Sequence, residues 1–429
     1  MGGSQTGLRT IGIGGAILIA TNGMIASGIF SLPGKLDAAV ASFAPVLLLL
    51  AALGFVCIAL SLADCARHFD RSGGPLLYVS TAFGRPAGFL TGWLSYVSRA
   101  AAQAANANVL ALTAAALFPA AASPAARAGI IVALFAALIA LNIAGVRKLL
   151  AGLAGITLLK LAPLVFLAAA AFATFGAGPA PVIPPLVDAG SVALVALYAF
   201  TGFEVGSVAA GETRDPKRVL PIVLVGTVLA VGLLYILVQW AYSASAPANG
   251  DAPLVELARR IGGPIAAFAL GLTILVSVVG GITVSIFGAS RLTVGMAEQA
   301  MLPSRFAAFS PRFATPVLSI LFFGLAAMAL AVSGTFVFLA VVSTLARLLS
   351  YAGCILAAPR LDRIFGDHRR WPRRILWPVI AGALCVAGAT QSTAGEWRSL
   401  GMLVAVGVML YFIATGRFAW PKPLSPPTA

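Results

Sequence analysis

Apolar residues along this chain come in long stretches separated by short loops that carry clusters of basic residues. A bilayer core of about 30 Å needs about 20 apolar residues per helix. Twelve runs meet that measure, at roughly 9–33, 43–65, 86–117, 127–145, 150–175, 191–210, 219–243, 264–297, 315–333, 336–358, 374–392 and 398–416. The pattern predicts an all-α polytopic membrane protein of about 12 transmembrane helices. The third and eighth runs are long and are expected to tilt or to project from the bilayer. The first continues past the length of a signal-peptide core, so it reads as a helix kept in the chain. The loops leave no room for a separate soluble domain, and 1–429 reads as one membrane domain.

Two runs are interrupted. The first contains Asn22-Gly-Met-Ile-Ala-Ser-Gly-Ile-Phe30 and is closed by Pro33; the sixth contains Tyr198-Ala-Phe-Thr-Gly-Phe-Glu204. Gly and Ser weaken a helix in mid-membrane, and unwound backbone is tolerated there only where it lines a cavity or is buried in protein. The interruptions stand five helices apart. That spacing fits a five-helix unit repeated with inverted topology, in which helices one and six break at the midplane to form the site. Close helix packing at small residues is the other reading of the same glycines.

Composition agrees with the pattern. The chain is 60% hydrophobic and only 10% charged, with a mean hydropathy of +1.00, whereas a soluble domain is about 45–50% apolar and about 25% charged. Soluble enzymes, disordered chains and disulfide scaffolds are excluded. The net charge of +15 does not point to nucleic acid, because the bases are dispersed between apolar runs. With both termini inside, 20 of the 28 Lys and Arg fall on the inner side, five on the outer and three (Arg99, Lys160, Arg347) within runs. This is a positive-inside signal for a cytoplasmic membrane protein with cytoplasmic termini. Cys57, Cys65, Cys354 and Cys385 have no metal-binding spacing and read as reduced, buried thiols. No Ser/His/Asp, paired Asp or HExxH arrangement marks an enzyme.

Several motifs resemble the amino acid–polyamine–organocation (APC) superfamily of permeases. They are Ser27-Gly-Ile-Phe30; Ser72-Gly-Gly-Pro75 with Tyr78 and Phe83-Gly84; and Asn142-Ile-Ala-Gly-Val-Arg147 with Leu158-Leu-Lys-Leu-Ala-Pro163. Phe200-Thr-Gly-Phe-Glu204 with Gly211-Glu-Thr-Arg-Asp-Pro-Lys-Arg218, and Ala289-Ser-Arg291 with Met301-Leu-Pro303, complete the series. Ala26 departs from the family's G-S-G and permits fewer backbone angles than glycine. The resemblance implies a LeuT-type 5+5 inverted repeat, about 9–175 and 191–358, with discontinuous helices 1 and 6 and two extra helices at about 374–416.

The resemblance also implies a site. A broken helix leaves N–H groups that suit a carboxylate and carbonyls that suit an ammonium. The amides around Ala26, Ser27 and Gly28 would meet the substrate's carboxylate. Carbonyls near Met24 and Ile25, and near Tyr198, Ala199 and Thr201, would meet its amine, with Phe200 in the same break. Selectivity would come from Tyr198, Ala199, Thr201, Gln103 and Ser285. No obvious free carboxylate faces this set, which favours a neutral zwitterion over a cationic substrate.

Lys160 is the sharpest single residue, since a lysine at a helix centre costs about 2.5–3.5 kcal/mol on insertion scales. In proton-coupled relatives a lysine stands where sodium-coupled ones bind sodium. A lysine whose burial alternates between conformations can take up and release a proton. Its expected partners are carbonyls near Gly23 and the hydroxyl of Thr283; the alternative is a fixed strut. Glu204 reads either as a protonatable gate or as a hydrogen-bonded brace. Arg99 is open to aiding an anionic substrate group, to snorkelling or to pairing with Glu204, while Arg347 reads as structural and Asn106 and Asn108 as interhelical glue. The expected activity is proton-coupled amino acid symport, with no cofactor, no sodium site and no partner beyond the amino acid and the bilayer. An exchanger, an exporter and a non-cycling sensor are the alternatives.

Overall fold

The computed structural model describes residues 12–25, 28–69, 73–145, 153–205, 213–246, 250–366 and 375–416, the side chains of 153–159 apart. No β-strand occurs among them. Their helices are α1 (Ile13–Met24), α2 (Gly28–Val40), α3 (Ala44–Ala66), α4 (Pro75–Phe83), α5 (Arg85–Leu117), α6 (Pro124–Ala144) and α7 (Leu153–Phe175). The second half of the chain supplies α8 (Leu186–Tyr198), α9 (Pro216–Ala244), α10 (Pro253–Glu298), α11 (Val317–Ser333), α12 (Phe336–Ile364), α13 (Trp377–Thr390) and α14 (Ala394–Thr415). Among the described residues seven helical segments are long and apolar enough to cross a membrane, and α1, α8, α11, α13 and the Lys160–Phe175 part of α7 are shorter apolar helices. Large apolar side chains on the outside, such as Leu50, Leu53, Phe166, Leu233 and Ile265, suit lipid as the surrounding solvent. This is a multi-pass membrane protein.

Helix ends follow local chemistry. Gly84, at φ +92°, separates α4 from α5, and Pro86 occupies the first turn of α5, where a missing N–H costs nothing. Ser123 and Thr335 cap α6 and α12 with their hydroxyls, and Thr393 and Glu396 form a reciprocal capping box on α14. The long eighth run is expected to start at Pro264, and α10 is kinked there: Gly262 and Gly263 leave helical geometry, so 253–261 forms a separate cap joined to the membrane rod. Pro33 does not close the first run. It lies inside α2, which continues to Val40. One carbonyl near this proline is engaged from outside the helix, because Gln239 Nε2 of α9 donates 3.3 Å to Pro33 O.

Two packing groups position the interior. In one, α9 lies along α3 and touches α1, α2 and α7, while α8 packs on α2 and α3. In the other, α5 packs on α10, α11 and α6. Helix α12 bridges them through α5, α3 and α8. Buried charge concentrates where the groups meet: Lys160 is 1% exposed, and Glu204 and Arg347 are each 5% exposed. Such side chains are costly within a bilayer and need partners in the protein interior.

Candidate functional site

The first interruption is a gap between two helices. Met24 ends α1, Ile25 has non-helical backbone (φ −79°, ψ 87°), and α2 begins at Gly28. Ala26 and Ser27, proposed from the sequence to meet a carboxylate, lie outside the described residues. In the second interruption α8 ends at Tyr198 and residues 199–204 form turns, with Gly202 at φ +104°. The two gaps touch. A Cβ on Gly202 would fall 2.3 Å from the Gly23 carbonyl oxygen, and one on Gly23 would fall 2.7 Å from that of Gly202. Gly28 faces Ala199 and the Tyr198 ring at 3.6 Å from where its Cβ would be. Glycine is required at Gly202 on two counts, positive φ and the absence of room for a methyl.

Polar side chains take up the backbone groups that the gaps release. Lys160 Nζ donates to the Ile25 carbonyl at 2.7 Å, to the Asn22 carbonyl at 3.4 Å and to Asn22 Oδ1. Its three protons thus meet three neutral oxygens at the end of α1. The bond to Thr283 expected from the sequence is not formed. Thr283 Oγ1 instead donates 2.7 Å to the Val279 carbonyl of its own helix, a local alternative open to helical Thr. Tyr235 of α9 donates through its hydroxyl to the Met24 carbonyl at 3.0 Å. Thr201 closes the other gap on itself, its amide and hydroxyl both donating to the Tyr198 carbonyl at 3.1 and 2.9 Å.

Glu204 forms the centre of a second network. Its Oε1 accepts from Arg347 Nη1, and its Oε2 accepts from the Tyr351 hydroxyl at 2.6 Å and the Gly202 amide at 3.1 Å. Arg347 Nε donates to Ser98 Oγ at 2.7 Å, which fastens α12 to α5. Among the described residues the ion pair of Glu204 is with Arg347, and Arg99 stands near it without an ion pair. Phe200 and Phe203 point away from the gaps into an aromatic cluster: Phe55 lies 5.6 Å from Phe200 and 6.2 Å from Phe203, Tyr235 lies 6.1 Å from Phe200, and Tyr351 lies 5.7 Å from Phe203. Phe200 thus packs on scaffold helices rather than lining the opening proposed for substrate. Tyr198 stands edge-on to Phe336 at 6.1 Å.

Gln103 on α5 and Ser285 on α10 are nearly buried, each 9% exposed. Gln103 Oε1 accepts 2.7 Å from Asn106 Nδ2 one turn on, a bond within α5. Asn108 does join helices, donating to the Ala331 carbonyl of α11 at 3.0 Å. Sequence reasoning missed Asn22, Tyr235 and Tyr351. A polar Asn or a Tyr in an apolar run is the only signal they give, and it does not name a partner.

The arrangement is a pair of adjoining backbone gaps tied by buried polar side chains. A protein-family model described as amino acid permease matches residues 11–394. The chain belongs to the amino acid permease family. The permease is 30% identical to an uncharacterized transporter of Mycobacterium tuberculosis (strain ATCC 25618 / H37Rv) over 94% of its own length and 90% of the relative's. It is 25% identical to the methylthioribose transporter of Bacillus subtilis (strain 168), over 52% of this chain and 49% of that one. It is also 25% identical to amino acid transporter protein 6 of Caenorhabditis elegans, over 53% and 44%. A permease of this family is a transporter, not an enzyme.

Proposed function

We propose that this permease is a proton-coupled amino acid symporter of the cytoplasmic membrane, with both termini inside, working by alternating access. The observation that carries the reading is Lys160, whose ammonium ties α7 to the open end of α1 through three oxygens. An ammonium donates three hydrogen bonds and a neutral amine only two. Loss of the proton frees one oxygen at the gap and loosens the tie, so protonation and the position of α1 are linked. No sodium ion enters this scheme, since the ammonium fills the place between these helices.

The substrate's carboxylate would lie at the amino end of α2, at Gly28 with Ala26 and Ser27, where amides and the helix dipole favour an anion. Its ammonium would face carbonyls of the second gap. Met24, Ile25 and Tyr198 already accept bonds within the protein, so Ala199 and Thr201 take the larger share. Gln103, Ser285 and the Tyr198 ring would shape the side-chain end. Supporting the wider architecture of twelve spans in two inverted repeats, about 9–175 and 191–358, are the paired gaps and the shorter apolar helices beside the long ones. The satisfied ammonium also fits a fixed strut in an exchanger.

Reconstitution separates the two. Lys160→Ala in liposomes should lose accumulation driven by an inward proton gradient and keep counterflow exchange. Unchanged gradient-driven uptake in that variant removes Lys160 from coupling.

A further inference from the structure

Among the described residues three cations stand in the membrane interior around the gaps, Lys160, Arg99 and Arg347, against the one carboxylate of Glu204. That carboxylate is already committed to Arg347, Tyr351 and the Gly202 amide. Lys160 is satisfied by neutral oxygens. Arg99 is different. It sits near the middle of the 33-residue α5 and is partly accessible, although Ser98 and Ala100 on either side are buried. The charged or ionisable groups that face it are Glu204, Arg347 and Tyr351, and it makes no hydrogen bond or ion pair with any described residue.

Glycine stands opposite Arg99. The Arg99 Nη1 lies 4.0 Å from where a Cβ on Gly288 of α10 would be, and among the described residues outside α10 no other atom comes within 4 Å of that point or of a Cβ on Gly281, two turns away on the same face. Gln103 is one turn from Arg99 along α5, and Ser285 is about one turn from Gly288. A guanidinium at this depth without a bound anion is costly, and a planar fork of donors suits a carboxylate.

We infer that Arg99 receives a second carboxylate, and that the permease takes acidic amino acids in preference to their amides. The inference rests on the amino acid reading of the site above. The main gaps hold the α-carboxylate and α-amine, and the side chain of a dicarboxylic amino acid extends past Gln103 and Ser285 to Arg99. Binding then brings the missing negative charge into the interior.

The test is equilibrium binding to purified permease of L-glutamate, L-aspartate, L-glutamine and L-asparagine. The wild type should bind each acid about ten- to hundredfold more tightly than its amide, the range expected for a charged hydrogen bond. Arg99→Gln should erase that preference while amide binding stays within about twofold. Gly288→Asp, which keeps Arg99 and sets a carboxylate against it, should do the same. It also serves if Arg99→Gln fails to fold, as judged by gel filtration and thermal unfolding. Equal binding of acid and amide by the wild type overturns the inference and leaves the amino acid reading standing. So does an acid preference that survives in either folded variant. If the folded wild type binds none of these and no other α-amino acid, the amino acid reading itself fails and takes this inference with it.

Discussion

At Gly202 a single hydrogen atom decides whether the two gaps can meet. Its φ of +104° and the Gly23 carbonyl 2.3 Å from its would-be Cβ exclude every side chain. Gly202→Ala should therefore cost at least about 1–3 kcal/mol of strain, before any displacement of α1 is counted. Thermal unfolding in detergent should show a lowered midpoint, and transport should be lost. A variant that unfolds and transports like the wild type would show that the backbones do not touch. Such a position was half legible in the sequence. Glycines in mid-run marked the interruptions, but a run of letters cannot say that glycines about 180 residues apart face one another. The same holds for His68, whose acidic partner lies far along the chain. Its ring is in fact largely buried, stacked on Phe365 with Nε2 3.1 Å from Asp362 Oδ1.

Between elements, the Glu204 network joins the end of α8 to α12 and α5. Removing one partner of a buried ion pair leaves the other uncompensated, at a cost of about 3–5 kcal/mol, whereas removing both costs far less. Glu204→Gln and Arg347→Gln should each destabilise strongly, and the double variant should recover most of the loss; unfolding of all four proteins gives the coupling directly. Additive losses would argue that Glu204 acts as a gate and not as a brace. Helices were the most legible level. Runs of about 20 apolar residues left little other structure possible in lipid, and the kink before Pro264 fell where the run was expected to start. Pro33 misled because a proline inside a membrane helix removes one backbone bond, to the carbonyl four residues before it, and need not end the helix. Here α2 starts at Gly28 and runs through Pro33 to Val40. The partners of Lys160 were legible as carbonyls of the first helix, but not as Asn22 over Thr283, since that choice depends on helix rotation.

Over the whole molecule, α2 is seated against the cap at the start of α10, on the side proposed as external. A Cβ on Gly34 would lie 3.1 Å from that of Pro253, close to the separation of about 3.5–4.5 Å found in disulfides. Gly34→Cys with Pro253→Cys should cross-link on mild oxidation, stop uptake in proteoliposomes and release it again with reductant. The native cysteines are free and buried, which keeps the background low. Full uptake by the cross-linked protein would mean that this contact stays shut throughout the cycle. The backbone contact of Gly23 with Gly202 has a last implication. Since neither backbone can advance without displacing the other, the broken rods would turn as meshed gears in the cycle proposed above, and a substrate that moved one would already have moved its mate. Stiffening either hinge alone should therefore freeze both.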